Sequence, residues 1–191
     1  MNAIAARSFL YGLLGECFGY PDEEFADSVR SGALAHRIAE LAIAIDPALL
    51  GGLDLASLAD ATATQHALAV EYTRLFDHFG LPPGEEQKEL PDHLTAERDF
   101  LHFLSCGEHE RGSRGEPATA YALAQRDFIA RHPGRWIPVM RGKLEALTPM
   151  PLFLALTAVL QRLLQHELDR LEAALGAALL KPSGDLPFGG A

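Results

Sequence analysis

The sequence has only two cysteines, Cys17 and Cys106, among 191 residues. They can form one disulfide at most. Cys17 falls on the apolar side of the first predicted helix, so we expect two reduced thiols. Basic residues are also scarce: 16 Lys and Arg face 26 Asp and Glu, which gives a formal net charge of −10. This charge disfavours binding to nucleic-acid backbones or to anionic membrane surfaces, and it suits a basic partner.

Long hydrophobic runs are absent as well. The longest, residues 150–160, stops at Gln161 and is too short to span a bilayer. The first 18 residues are apolar, but Arg7 interrupts them and no small-residue cleavage pattern follows, unlike a signal peptide. Together these features predict a cytoplasmic protein with no stable membrane insertion.

Known catalytic and metal-binding patterns are missing too. The sequence has no Gly-x-Ser-x-Gly elbow and no glycine-rich phosphate loop. No glutamate is followed three residues later by a histidine, as a di-iron bundle requires. Cys106 and His109 offer only two metal ligands, and we expect them in or beside an exposed charged loop over 107–115. We therefore predict no catalytic residue, no metal and no cofactor.

Apolar residues recur at helical spacing almost throughout. The pattern predicts an irregular all-α bundle in a single domain over 1–180, followed by a flexible tail over 181–191. We expect most aromatic side chains in the core, with some lining a groove for an apolar peptide. Helices are predicted over about 4–18, 34–45, 54–76, 94–104, 121–129, 136–147 and 152–175.

The most distinctive motif is Pro91-Asp92-His93, directly before a predicted helix. A proline and an acid favour a helix start, so these residues can be purely structural. Alternatively, the helix start presents a carboxylate, an imidazole and free backbone N–H groups to a partner. Glu97 lies one turn beyond His93 and could orient its ring.

This motif, with Leu94 and Glu97, is the most diagnostic of several segments that resemble one family. The others are 7–24, the Glu-Tyr-Thr-Arg-Leu-Phe segment at 71–76, 125–128 and 132–136. Together they resemble the TorD/DmsD/NarJ family, maturation chaperones for molybdenum enzymes of the dimethyl sulfoxide reductase superfamily. Residues 79–81 and 135–136 favour the branch that serves ethylbenzene, dimethyl sulfide, chlorate or selenate enzymes. The chain departs from the family pattern after Asp77, which runs into His78 without the usual loop rich in glycine and proline.

The resemblance implies a TorD-like helical fold and a chaperone rather than an enzyme. Such a protein binds the apo catalytic subunit of a molybdenum oxidoreductase, or its leader peptide, for cofactor insertion and timed export. A monomer or weak homodimer is expected, with an acidic rim around an apolar groove to suit a basic, apolar leader. The implied partner-binding residues are Asp92, His93, Leu94, Glu97, Tyr72, Phe76 and Trp136.

Two other functions remain open from the sequence. One is a small helical enzyme that uses Asp92 and His93 as an acid–base pair on a nucleotide or phosphoester. The other is a scaffold subunit that stays in the mature enzyme complex.

Overall fold

The computed structural model describes residues 2–19, 21–59, 64–79 and 94–178. Within these ranges the chain forms eight α-helices and two short 3-10 helices, with no strand, which confirms the all-α prediction. The α-helices are α1 Ala3–Cys17, α2 Glu23–Arg30, α3 Ala33–Ile45, α4 Gln65–Phe79, α5 Leu94–Ser113, α6 Thr119–Arg131, α7 Pro133–Ala146 and α8 Pro151–Leu175, and the 3-10 helices are Pro47–Leu50 and Leu55–Leu58.

Short polar side chains cap the N-termini of α1 and α2. The Asn2 side chain accepts a hydrogen bond from the Ala5 N–H at 2.8 Å, and Asp22 accepts one from Phe25 at the same distance. These caps satisfy backbone donors that have no partner within the helix. Helix α2 was missed in the sequence, although Asp22 followed by two glutamates is a typical helix start.

The predicted continuous helix over 54–76 is wrong. The Asp54 carboxylate caps a 3-10 helix by accepting from the Ala56 N–H at 3.0 Å. Ala59 then leaves helical geometry, with φ −120° and ψ 53°, and α4 begins only at Gln65. Apolar spacing alone could not distinguish one long helix from two short ones.

The predicted loop over 107–115 is also wrong for most of its length, because α5 continues to Ser113. Gly107 stands where the Tyr121 ring of α6 packs, and an added Cβ there would lie 2.2 Å from that ring. Glu108 is buried, and Cys106 is partly buried. The glycine thus serves close helix packing, and these residues are helical rather than part of an exposed loop.

A single core cluster contains residues from all eight α-helices. Helix α1 packs mainly against α5 and α3, while α8 packs against α6, α7 and both 3-10 helices. This continuity supports treating 1–180 as one domain, which stays a prediction; the tail 181–191 lies outside the described residues. None of the helices in the described ranges is long and apolar enough to cross a membrane.

Four charged side chains meet inside the bundle. Arg7 of α1 places Nε 2.5 Å from Glu167 Oε2 and Nη1 3.6 Å from Glu108 Oε2. Arg170 reaches the same two carboxylates, at 3.0 Å from Glu167 and 3.4 Å from Glu108. Gln125 donates to Glu108 at 2.8 Å. Two positive and two negative charges balance, so α1, α5 and α8 are joined without an uncompensated buried charge.

Candidate functional site

The starts of α5 and α7 are joined by one hydrogen bond. Trp136, on the first turn of α7, donates from Nε1 to Glu97 Oε2 on the first turn of α5 at 2.8 Å. Glu97 is 4% exposed, so its charge is nearly removed from solvent. A hydrogen bond to a buried carboxylate is stronger than one between neutral groups. The bond therefore fixes where α5 begins relative to the α6–α7 turn.

His132 occupies the turn between α6 and α7. Its Nδ1 lies 4.0 Å from Glu97 Oε1, and about half of its side chain is exposed. The backbone at His132 is non-helical, with φ −121° and ψ −102°, and Pro133 starts α7 at once. An added Cβ at Gly134 would lie 2.6 Å from the Ile129 carbonyl oxygen. The tight turn thus requires glycine at 134, and it brings both His132 and Trp136 to Glu97.

Aromatic rings extend this site across α5 and α6. The Phe128 ring stacks on His132 with centroids 4.8 Å apart, and Phe100 meets Phe128 edge-on at the same distance. Phe100 is 42% exposed. We call Glu97, Phe100, Phe128, His132 and Trp136 the aromatic junction.

A second exposed ring lies farther along α5. Phe103 is 59% exposed, and its centroid lies 6.3 Å from that of Tyr121. Phe153 is buried, as we expect of most aromatic side chains, whereas Phe100 and Phe103 are exposed. The exposed Phe103 ring extends the apolar surface of α5 beyond the aromatic junction.

Charges of both signs lie around the aromatic junction. Asp127 is shared by Arg126, at 2.7 Å, and Arg131, at 3.5 Å. Arg126 also donates to the Leu175 and Gly176 carbonyl oxygens, at 3.2 and 2.9 Å, and so closes the end of α8. The acidic rim expected around an apolar groove stays a prediction. No group of three His, Cys, Asp or Glu side chains within the described ranges could hold a metal ion.

Of the predicted partner-binding residues, the structure brings Glu97 and Trp136 together. Asp92 and His93 lie outside the described residues, so the idea that Glu97 orients His93 stays a prediction. Leu94 is the first residue of α5, and its side chain lies outside the described ones. The side chains of Tyr72 and Phe76, both in α4, also lie outside the described ones.

Sequence reasoning missed His132 as a site residue. Residues 132–136 contribute to the family resemblance, but His132 is not among the residues that the sequence predicts to bind a partner. A polar ring next to a helix start, followed by the single tryptophan at 136, was the available signal. Its meaning depends on Glu97, which lies 39 residues before Trp136 in the chain.

The comparison with protein-family models matches this part of the chain. Residues 77–141 match the family model described as nitrate reductase delta subunit, and this range contains the whole aromatic junction. The perchlorate reductase assembly chaperone protein of Dechloromonas aromatica (strain RCB) is 33% identical over 104 residues, which cover 54% of this chain and 46% of that protein.

Two further relatives match over 76 residues each. They are the selenate reductase assembly chaperone protein of Thauera selenatis, 38% identical, and the chlorate reductase assembly chaperone protein of Ideonella dechloratans, 37% identical. Each match covers 40% of this chain and 39% of the relative, so the chain spans less than half the length of the curated relatives it matches. No solved structure matches. The family resemblance drawn from the sequence, including its chlorate and selenate branch, is confirmed.

Proposed function

We propose that this chain, a relative of the perchlorate, selenate and chlorate reductase assembly chaperones, is itself an assembly chaperone. Its client is the apo catalytic subunit of a molybdenum oxidoreductase of the dimethyl sulfoxide reductase superfamily. The chaperone binds that subunit or its leader peptide in the cytoplasm, holds it for cofactor insertion and delays its export. It acts as a monomer or weak homodimer and without nucleic acid.

The observation that carries the proposal is the Glu97–Trp136 hydrogen bond. It holds the first turn of α5, which follows the Pro91-Asp92-His93 motif, against the α6–α7 turn. A motif attached to a fixed helix start loses less conformational freedom when it binds a partner. We therefore propose that the partner-binding surface comprises Asp92, His93, Leu94, Glu97, Tyr72, Phe76 and Trp136.

Exposed apolar side chains add area to this surface. Phe100 of the aromatic junction and Phe103, farther along α5, have 42% and 59% of their surfaces accessible. Exposed aromatic rings are a common means of holding an apolar peptide segment. The net charge of −10 adds long-range attraction for a basic leader.

The alternative of an enzyme with an Asp92–His93 acid–base pair gains no support from the comparisons. The relatives are named as assembly chaperones, and the range that the family model matches, 77–141, includes both residues. Asp92 and His93 are therefore better explained as recognition residues at a helix start than as catalytic groups.

The proposal is tested by binding and by cofactor loading. A chlorate- or selenate-reductase-type catalytic subunit is expressed without molybdenum cofactor and passed over the immobilised chain. We expect capture of the apo subunit, weaker capture of the loaded subunit, and a lower molybdenum content of that enzyme in cells that lack the chaperone. Equal capture of both forms with unchanged molybdenum content would refute the proposal.

A paired variant tests the surface itself. Glu97→Ala removes the acceptor of the Trp136 hydrogen bond together with one negative charge, and Glu110→Ala removes one negative charge from an exposed position on the same helix. We expect capture to fall at least about fivefold for the first variant and to be unchanged for the second. Equal losses in both would mean that overall charge, not the aromatic junction, governs binding.

A further inference from the structure

A thiol, an imidazole and a hydroxyl meet where α1 packs on α5. Cys106 Sγ lies 2.9 Å from Ser8 Oγ and 3.8 Å from His102 Nε2. His102 and Cys106 are four residues apart on α5, so their side chains share one face of the helix. Ser8 belongs to α1, 94 residues from His102. The cluster therefore depends on the packing of two helices and not on a local sequence motif.

The hydrogen bonds of the His102 ring determine which of its two nitrogens carries the proton. His102 Nδ1 lies 2.7 Å from the Ser8 backbone oxygen, which can only accept, so Nδ1 carries the hydrogen. In a neutral imidazole the other nitrogen, Nε2, is then an acceptor, and it faces the Cys106 sulfur. The thiol thus has a base within reach, and a carbonyl oxygen orients that base. This is the arrangement that activates a nucleophile.

The ring is also confined by packing. An added Cβ at Gly12 would lie 3.7 Å from the His102 ring, so the ring rests against the backbone of α1. Cys106 and His102 are both partly exposed, and Ser8 is buried. Both residues are therefore partly open to solvent while the ring stays oriented.

The second cysteine provides a contrast. Cys17, at 1% exposure, belongs to the hydrophobic core, where a thiol behaves as a small apolar side chain. Reactive thiols need access and a neighbouring base or positive charge, and Cys106 has access and a base. The two cysteines of the chain thus have different chemical environments.

We propose that Cys106 is a reactive thiol that His102 activates for exchange with small neutral disulfides. The thiol proton passes to His102 Nε2, and the sulfur attacks one sulfur of the reagent. A new S–S bond forms as the S–S bond of the reagent breaks, and the second half leaves as a thiolate that takes up a proton. No net oxidant is required beyond the disulfide itself. The disulfide adduct on Cys106 breaks the contact of its sulfur with Ser8 between α1 and α5. This reaction does not require a bound client.

The test uses the folded wild-type chain and 4,4′-dithiodipyridine, a neutral disulfide that the net charge of −10 does not repel. Near neutral pH we expect one fast-reacting thiol per chain, on the order of tenfold faster than N-acetylcysteine. Mass spectrometry of the digested product should place the adduct on Cys106. Cys17→Ser should keep the fast reaction, and Cys106→Ser should abolish it.

Two variants examine the role of the base. His102→Gln should slow the fast reaction by about tenfold or more, whereas Ser8→Ala, which keeps the backbone oxygen that orients His102, should change it by less than about threefold. Circular dichroism and thermal unfolding confirm that each variant is folded. The proposal is overturned if the wild-type thiol reacts no faster than N-acetylcysteine. This comparison needs no variant. A folded His102→Gln protein with an unchanged rate overturns it as well.

Discussion

Glu97 accepts a hydrogen bond from the only tryptophan of the chain, Trp136, at 2.8 Å. The buried carboxylate and the indole thereby connect two helices that are separated by the whole of α6. The same pair also provides a spectroscopic reporter, because Trp136 fluorescence responds to changes at this contact.

Removing the carboxylate should destabilise the fold measurably. Glu97→Ala leaves the indole N–H without this acceptor in a mostly buried position, which costs about 1–3 kcal/mol. Urea unfolding followed by Trp136 fluorescence measures the loss, and a shift of the native emission maximum should accompany it. Glu110→Ala, at an exposed position on the same helix, is the control and should change stability by less than about 0.5 kcal/mol. A loss below about 0.5 kcal/mol for Glu97→Ala would contradict the role assigned to the bond.

Replacing Gly134 should strain the α6–α7 turn. A Cβ at this position would meet the Ile129 carbonyl oxygen at 2.6 Å, so Gly134→Ala should lower the free energy of unfolding by about 1–3 kcal/mol. Gly142 lies on the same helix with nothing within 4 Å of an added Cβ. Gly142→Ala should therefore stabilise the protein by up to about 1 kcal/mol, since alanine favours helix. Chemical denaturation of both variants checks the opposite signs, and equal effects would count against the steric argument.

Removing one charge from the buried network around Arg7 should strongly destabilise the protein. Arg7→Met leaves Glu108 and Glu167 short of one positive partner, and breaking such a buried pair costs about 3–5 kcal/mol. Arg37→Met removes an exposed partner of Glu40 and should cost less than about 1 kcal/mol. Thermal and urea unfolding compare the two variants. Similar losses for both would mean that the buried network is solvated rather than enclosed.

Stability should also depend on pH through neighbouring residues of α8. A hydrogen bond to Glu167, helped by the charges of Glu167 and Asp46, raises the pKa of His166 above its ordinary 6.5, although partial burial opposes this. Burial alone would raise the pKa of Glu167, but the His166 hydrogen bond and the charges of Arg7 and Arg170 outweigh it and hold the pKa below 4.5.

The signs of the two contributions follow from these shifts. The His166 contribution is complete below pH 6.5 and is lost as pH rises through its raised pKa, while the Glu167 contribution is complete above pH 4.5 and is lost as pH falls through its lowered pKa. Unfolding measured across this range should show His166→Gln removing the loss on the alkaline side. The acid-side loss should persist, though it will be altered because Glu167 loses one hydrogen bond. An unchanged alkaline slope in that variant would contradict the assignment.

The sequence predicted those features that depend on local apolar spacing. Helix α8 follows a long row of leucines and was predicted nearly to the residue, and α3 ends at Asp46 and Pro47 as expected. The aromatic junction could not be predicted, because Glu97 and Trp136 meet only after α6 folds back between them. The loop predicted at Gly107 is wrong for the same reason. Glycine disfavours helix locally, but the Tyr121 ring of another helix requires glycine at this position.

The packing of α1 against α5 has a consequence for biosynthesis. Ser8 and His102 meet across 94 residues of chain, so α1 leaves the ribosome well before its partner exists. At translation rates of about 5–20 residues per second, its apolar face waits for roughly 5–20 seconds. During that interval Leu10, Tyr11 and Leu14, which are fully buried in the finished fold, have no α5 to cover them. A nascent chain of this protein is thus a candidate substrate for ribosome-associated holding factors.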